Sequence, residues 1–287
     1  MSYPDRVHAC NNVCFERLLP WYVAGVRYGW VDDQFTACLR DYPEVFSVSD
    51  HAITLKGHLN DYQQRTTVVN EVMHELHQNG VIDTWVGESY PVVRHYGDEA
   101  ALEVERAAAS FLGIRGFGVH VNGLVRQGDE MSVWVGTRAE SKPFWPGKLD
   151  QLVAGGQPVG ISLLENVIKE SAEEAAIPAQ LAQQAQAVGQ VHYQYQGHRG
   201  LENSTLFVYD LWLPEDFVPQ NNDGEVDSFQ LLPLHEIARL TEHTDEFKDN
   251  CNLVNIDLLL RNNVITASHP DYAALVSALY NEKEGSR

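Results

Sequence analysis

Three glutamates, Glu170, Glu173 and Glu174, fall within one short stretch, with Lys169 beside them. On a helix, residues three and four apart are neighbours, so Glu170 and Glu174 stack one turn apart and Glu173 lies close by. Carboxylates this near repel one another unless positive charge sits among them. Hard divalent cations, Mg2+ above all, are held by a few carboxylates together with substrate phosphates. The spacing therefore fits a metal site that meets a phosphate-bearing ligand. An acidic cluster on a helix is more commonly a solvated face, so the surrounding sequence has to decide.

That sequence is organised. Gly155 and Gly156 lead the segment. Ser162 followed by Glu165 predicts a capping box that starts a helix near residue 162. Leu164, Ile168, Ala172 and Ala175 mark an apolar stripe at helical spacing, with the glutamates largely off it. Pro178 closes the helix because it cannot continue the hydrogen-bond ladder. The reading is a short amphipathic helix, packed on one side, presenting carboxylates on the other and entered through a glycine turn.

The run from Gly155 to Ile177 resembles the Nudix box, the signature of the Nudix hydrolases. That signature is Gly, five residues, Glu, seven residues, Arg-Glu, an apolar residue, any residue, Glu-Glu, any residue, Gly, apolar. Gly155, Glu170, Glu173, Glu174 and Ile177 match it. Ile161 stands at the first glutamate, Lys169 at the arginine, Ser171 at the apolar residue and Ala176 at the last glycine. The resemblance implies metal binding by Glu170, Glu173 and Glu174, whereas the first glutamate mainly supports the loop-helix geometry. RGFGVHVNGLV at 115–125, WPGKLDQLVAGG at 145–156 and DGEVDSFQLLPLHEI at 223–237 resemble a subgroup of the family. It is related to the Nudix half of fungal thiamine pyrophosphokinase fusions.

The resemblance implies an α+β fold, the Nudix αβα sandwich, and a Mg2+-dependent diphosphate hydrolase, with Mn2+ as a substitute ion. Subgroup relatives act on thiamine diphosphate and on its oxidised, damaged forms, giving the monophosphate and phosphate. The alternatives are a pyrophosphatase for another nucleoside diphosphate derivative and a silent Nudix module that binds a ligand. The family often places a further acid beyond the box, and Glu225 in Asp223-Gly224-Glu225-Val226 is the candidate. Lys169 would orient the carboxylates or meet a phosphate, though lysine lacks arginine's planar fork. Homodimers are common in the family, so a homodimer is expected.

Substrate contacts are sought near the turn. Arg138, Trp145 and Lys148 precede it, and Tyr193 and Tyr195 lie on a later strand. A ring can stack on a heterocycle, and a cation can meet a terminal phosphate. His120 and Asn122 face either the pocket or the core. Asp257, inside an apolar run, is expected to be a buried residue with a structural hydrogen bond.

Composition bounds the partners. The 287 residues carry a formal net charge of −20, which disfavours nucleic acid and anionic membranes, since nucleic-acid binding rests on Lys and Arg contacts. A small anionic substrate remains compatible, because a bound cation reverses the local sign. No apolar run approaches the roughly 20 residues of a membrane span, and MSYPDRVHACNN does not read as a signal peptide. The four cysteines read as reduced. The expectation is a cytoplasmic enzyme.

Three segments are expected: an N-terminal α+β accessory region at 1–114, a Nudix domain at 115–245 and a helical C-terminal extension at 246–287. In the first, helices are predicted at Asn12 to Ala24, Asp32 to Arg40 and Gln63 to Gln78. Short strands are predicted around Ala52 to Leu55, Val92 to Tyr96 and Ala101 to Val104. No catalytic constellation is apparent there. The end, NEKEGSR, reads as frayed.

Overall fold

Long alternating and β-branched runs build the main sheet. In the computed structural model, which describes residues 2–281, the N-terminal part holds α1 (Tyr3–Ala9), β1 (Leu18–Val23), β2 (Val26–Asp32) and α2 (Asp33–Leu39). These are followed by β3 (Phe46–Val48), β4 (Ile53–Leu55), α3 (Tyr62–Gln78), β5 (Ser89–Pro91) and β6 (Glu103–Glu105). Strands β1 to β4 form a sheet in the order β2-β1-β4-β3, and β5 pairs with β6. Helix α2 opens where expected because the Asp32 carboxylate accepts the Phe35 N–H at 2.8 Å, an N-cap that satisfies an orphan donor.

Two predictions fail in this part. The helix predicted from Asn12 to Ala24 is a short turn followed by β1. Ala24 and Gly25, both with positive φ, fold β2 back on β1 as a tight hairpin of the kind that needs two left-handed residues. The strand predicted at Val92 to Tyr96 instead lies earlier, at Ser89–Pro91, because Ser89 registers with Glu105.

The second part holds β7 (Arg115–Gln127), β8 (Glu130–Arg138), β9 (Leu149–Gln151), β10 (Val153–Gly156), α4 (Leu163–Ala175) and α5 (Ala179–Ala182). It continues with β11 (Gln186–Gly197), β12 (Gly200–Trp212), β13 (Val226–Pro233), α6 (Leu234–His243), α7 (Asp249–Arg261) and α8 (Tyr272–Tyr280). The sheet order is β11-β12-β7-β8-β13, with β10 on β7 and β9 on β8. Only β12 and β7 run parallel among these pairs.

Alternate residues of this sheet feed two cores. Val119, Val121 and Tyr209 pack with Val167 and Ala175 of α4. Leu206 and Val208 pack on the other face with Leu253, Val254 and Leu259 of α7. Helices lie on both faces, so the α+β sandwich stands as expected.

The C-terminal helices are not an appendage. Ten of the thirteen residues of α7 are buried, so it serves as a layer of the sandwich. Helix α1 joins that layer: Tyr3 and Val7 pack in its core, and Arg6 Nε donates to the Thr241 carbonyl at 2.9 Å. Asp257 accepts from Tyr280 at 2.6 Å and from Arg261 at 2.8 Å, the structural role expected of it. The terminal segment predicted to fray lies, beyond Asn281, outside the described residues.

Candidate active site

The end of β10, which leads to α4, has no room for side chains; Gly155 and Gly156 pair there with β7 instead of forming the expected turn. One on Gly155 would overlap the Glu170 carboxyl group; one on Gly156 would overlap the Tyr90 hydroxyl and lie 2.9 Å from Arg106 Cζ. Glycine at both positions lets a carboxylate approach β10 from one side and an arginine–tyrosine pair from the other. Side-chain amides hold the loop that follows. Gln157 Nε2 donates to the Ile161 carbonyl and Asn166 Nδ2 to the Gly156 carbonyl, each at 2.8 Å. The Val159 N–H reaches the Ser89 carbonyl at 3.0 Å, tying the loop to the N-terminal region. The capping box forms as predicted: Glu165 accepts the Ser162 N–H at 2.7 Å and Ser162 Oγ accepts the Glu165 N–H at 3.3 Å.

The buried face of α4 is not the predicted stripe. Leu164 and Ala172 are exposed, while Asn166, Val167, Ser171, Glu174 and Ala175 are buried. Glu174 therefore lies on the inward face rather than off it. It is 8% exposed and accepts the Ala154 N–H at 2.8 Å. Burial pushes its carboxyl well above the usual range; the amide opposes this, and the nearby charges of Asp150, Glu170 and Glu225 add to it. Burial also raises Glu170, against the pull of Lys169. Lys169 bridges Glu170 at 3.1 Å and Glu173 at 2.8 Å. Burial would lower the Lys169 ammonium, but its bonds to Glu173 and Glu170 outweigh this and raise it.

Glu225 is brought in by a loop tied to the end of α4. The Gln220 N–H donates to the Ala175 carbonyl at 3.1 Å and Asn222 Nδ2 to the Ala172 carbonyl at 3.2 Å. Asp223 caps the turn by accepting the Glu225 N–H at 2.8 Å. Lys142 forms an ion pair with the Glu225 carboxylate.

These groups line one cavity of about 770 Å³, within the range of small-molecule sites. Residues 116–251 match the NUDIX domain family, and residues 3–116 match a domain of unknown function, DUF4743. The chain is 40% identical over 285 residues to Nudix hydrolase 24, chloroplastic, of Arabidopsis thaliana, covering 98% of this chain and 78% of that protein. It is 38% identical over 289 residues to Nudix hydrolase 20, chloroplastic, of the same plant, covering 96% and 77%. The chain belongs to the Nudix hydrolases. Among solved structures, the MutT protein from Methanosarcina mazei Go1 is 19% identical, with a TM-score of 0.40, over 52% of this chain and 95% of that one.

In this Nudix hydrolase the donor set fits the divalent cation that the family's chemistry implies. Three carboxylates face one ammonium, and the most buried of them has no ion-pair partner among the described residues. The Nudix glutamates are nonetheless spread. Among the described residues, the one set of His, Cys, Asp or Glu donors that converges within 4.8 Å is His120, Asp150 and Cys251, all buried.

This second set already carries its own positive charge. Asp150 accepts from Arg138 at 2.9 Å and from the Cys251 thiol at 2.8 Å, and Lys248 lies at 3.6 Å. Burial would raise Asp150, but Lys248, His120 and Arg138 together hold it well below the usual carboxylate range. Gln151 fixes His120. Its amide nitrogen donates to the Cys251 carbonyl at 3.2 Å and to Asn255 Oδ1 at 3.0 Å. Gln151 Oε1 is therefore left to accept from His120 Nδ1 at 2.7 Å. Burial pushes His120 down to about 4, so the ring is neutral.

The structure brings together most of the residues singled out in the sequence. Lys169, Glu170, Glu173, Glu174 and Glu225 line the cavity, as do Arg138, Trp145 and Tyr193. Lys148 does not: its ammonium bonds the Asp245 carbonyl, and Lys248 stands at the cavity wall, 5.6 Å from the centre of the Trp145 ring. The Arg138 guanidinium is spent on Asp150 and on the Phe144 and Trp145 carbonyls, at 2.9 to 3.3 Å, so it braces the cavity wall. Sequence reasoning missed Tyr90, Arg106, Arg199 and Lys248. The glycine at 156 was a signal that something packs there, but no sequence feature said what.

Proposed function

We propose that this Nudix hydrolase cleaves a diphosphate carried by an aromatic heterocycle, with thiamine diphosphate and its oxidised forms as leading substrates and monophosphate and phosphate as products. One observation carries the reading. The cavity that holds the three glutamates is also lined by Phe144, Trp145, Tyr193 and Tyr195, and by six of the chain's twenty Lys and Arg residues. Those six are Arg106, Arg138, Lys142, Lys169, Arg199 and Lys248. Acids line the cavity as well, Glu88, Glu202 and Asp223 among them, so a bound divalent cation and these Lys and Arg side chains together would meet an anionic ligand. Aromatic walls suit a planar ring.

Glu170, Glu173 and Glu174 would hold the divalent cation, Mg2+ in this reading, which supplies neutralisation of phosphate oxygens and a water of lowered pKa when bound. The Ala154 N–H fixes Glu174, and the Gln157 and Asn166 amides fix the turn, so the carboxylates are positioned before the ligand arrives. Glu225 Oε is assigned the proton taken from the attacking water, and Lys142 pairs with that carboxylate. Trp145 and Tyr193 are assigned to the heterocycle. The reading keeps the reaction in the cytoplasm.

The test is a panel with Mg2+: thiamine diphosphate, its oxo and oxy forms, ADP-ribose, NADH and nucleoside triphosphates, with products resolved chromatographically. Fastest monophosphate release from the oxidised thiamine forms, abolished by Glu174→Gln, supports the proposal. Faster cleavage of another compound replaces the substrate; cleavage of nothing leaves a ligand-binding Nudix module.

A further inference from the structure

The N-terminal region carries a charged group to the glycine end of β10. Arg106 begins the short turn Arg106–Ala108 that follows β6. Its place is fixed from beneath by Glu105, a carboxylate 5% exposed. Glu105 accepts the Val86 N–H at 2.8 Å, the Gly87 N–H at 3.1 Å and the Ala107 N–H at 3.2 Å. The Arg106 N–H donates to the Glu88 carbonyl at 2.8 Å, which extends the pairing of β5 with β6 to the arginine.

The guanidinium itself is less committed. It meets Glu88 through one nitrogen at 2.8 Å and stands 5.7 Å from the centre of the Tyr90 ring. Its side chain is 39% exposed, and it lines the same cavity as Glu170. Arg138 differs: it bonds a carboxylate and two backbone carbonyls and is braced throughout. Arginine's planar fork suits a phosphate, which accepts two parallel N–H bonds. Arg106 is thus a rigidly based cation beside the metal carboxylates, with one exchangeable carboxylate partner.

We propose that Arg106, supplied by the N-terminal region, is a substrate-positioning residue that grips the diphosphate of the ligand by exchanging Glu88 for a phosphate. This rests on the diphosphate reading of the site above. The N-terminal region thereby furnishes a wall of the cavity that the Nudix box alone lacks. Tyr90, its hydroxyl kept protonated by a pKa pushed up to about 12 by burial, backs the arginine against Gly156.

The experiment titrates inorganic pyrophosphate into the full chain with Mg2+ by calorimetry, for wild type, Arg106→Met, Arg106→Lys and Glu88→Gln. Turnover of the best panel substrate is measured alongside. The expected result is at least tenfold weaker pyrophosphate binding in Arg106→Met, with partial recovery in Arg106→Lys. Glu88→Gln, which frees the arginine, binds as tightly as wild type or tighter. In turnover, Arg106→Met raises KM at least tenfold with kcat changed less than threefold. Pyrophosphate binding unchanged in Arg106→Met, or absent in wild type, overturns the proposal. A merely structural role would lower Tm in both arginine variants without the KM–kcat split, and this too overturns it. Wild type that binds pyrophosphate through Arg106 yet hydrolyses nothing supports the proposal and sinks the hydrolase reading instead.

Discussion

Two groups of acids lie close together, and they are built on opposite terms. Asp150 is sheltered, but Arg138, Lys248 and a thiol proton answer its charge. Glu170, Glu173 and Glu174 share one lysine, and that lysine reaches only two of them. Burial acts on Asp150 and Glu174 alike, yet Asp150 is held below the usual carboxylate range and Glu174 pushed above it. The difference lies in compensation. His120, Asp150 and Cys251 converge as a metal-ligand set would, but their negative charge is already met. The glutamates are spread wider and carry a surplus, which is what a divalent cation relieves. Surplus charge, rather than convergence of donor atoms, is the ground on which the cation is assigned to the glutamates in the function proposed above.

The comparison breaks most visibly through activity. Glu174→Gln keeps the oxygen that accepts the Ala154 N–H and removes only the charge. It should lower kcat/KM on the best panel substrate by on the order of 10²–10³ or more, as loss of a group that stabilises transition-state charge does. Glu173→Gln and Glu170→Gln should also lose activity.

The next effect is on folding, and its sign differs between the groups. Asp150→Asn leaves Arg138 and Lys248 without their carboxylate, and breaking a buried pair costs about 3–5 kcal/mol. Urea unfolding of the metal-free protein should show that loss at pH 7. Glu174→Gln should instead stabilise the metal-free protein by roughly 1–3 kcal/mol. A destabilised Glu174→Gln protein would show that the surplus is already neutralised.

Acid sharpens the contrast. Glu174 has a folded pKa above its unfolded one, so the folded state holds its proton longer and its penalty grows as pH rises through that window. The advantage of Glu174→Gln should therefore vanish near pH 4 and grow as pH rises above the unfolded glutamate value, about 4.3. Asp150 has a depressed folded pKa, so its contribution is present above the unfolded value, about 3.9, and falls away below it. The Asp150→Asn deficit should accordingly shrink as pH falls below that value.

The smallest expected effect concerns the helix end. Ala176 occupies the left-handed region with φ of 51°, where a Cβ costs of order 1 kcal/mol relative to glycine. Ala176→Gly should raise stability by about that amount with little change in kcat, read by thermal melts and turnover.

Local chemistry was the legible part of the site. The capping box and the three glutamates were read from adjacent residues, whereas the glycine pair ahead of the helix ends strand β10 instead of forming a turn. The phase of α4 was not legible. Helix α4 buries polar side chains, Asn166, Ser171 and Glu174, so apolar periodicity points to the wrong face. Ala24-Gly25 makes a hairpin without the Asn-Gly signal, which hid β1 and β2. Arg106 and Lys248 reach the cavity from segments far from α4 in the chain, a proximity created only by folding.

The loop after β10 has a consequence for how the site responds to its surroundings. Two uncharged amides, Gln157 and Asn166, hold the shape of a turn whose signature glutamate is replaced by Ile161. Neither titrates, and their bonds are weakly sensitive to salt. Acid should then strip the cation from the glutamates while the turn keeps its form, so binding and architecture fail at different points, and a return to neutral pH should restore the site without refolding.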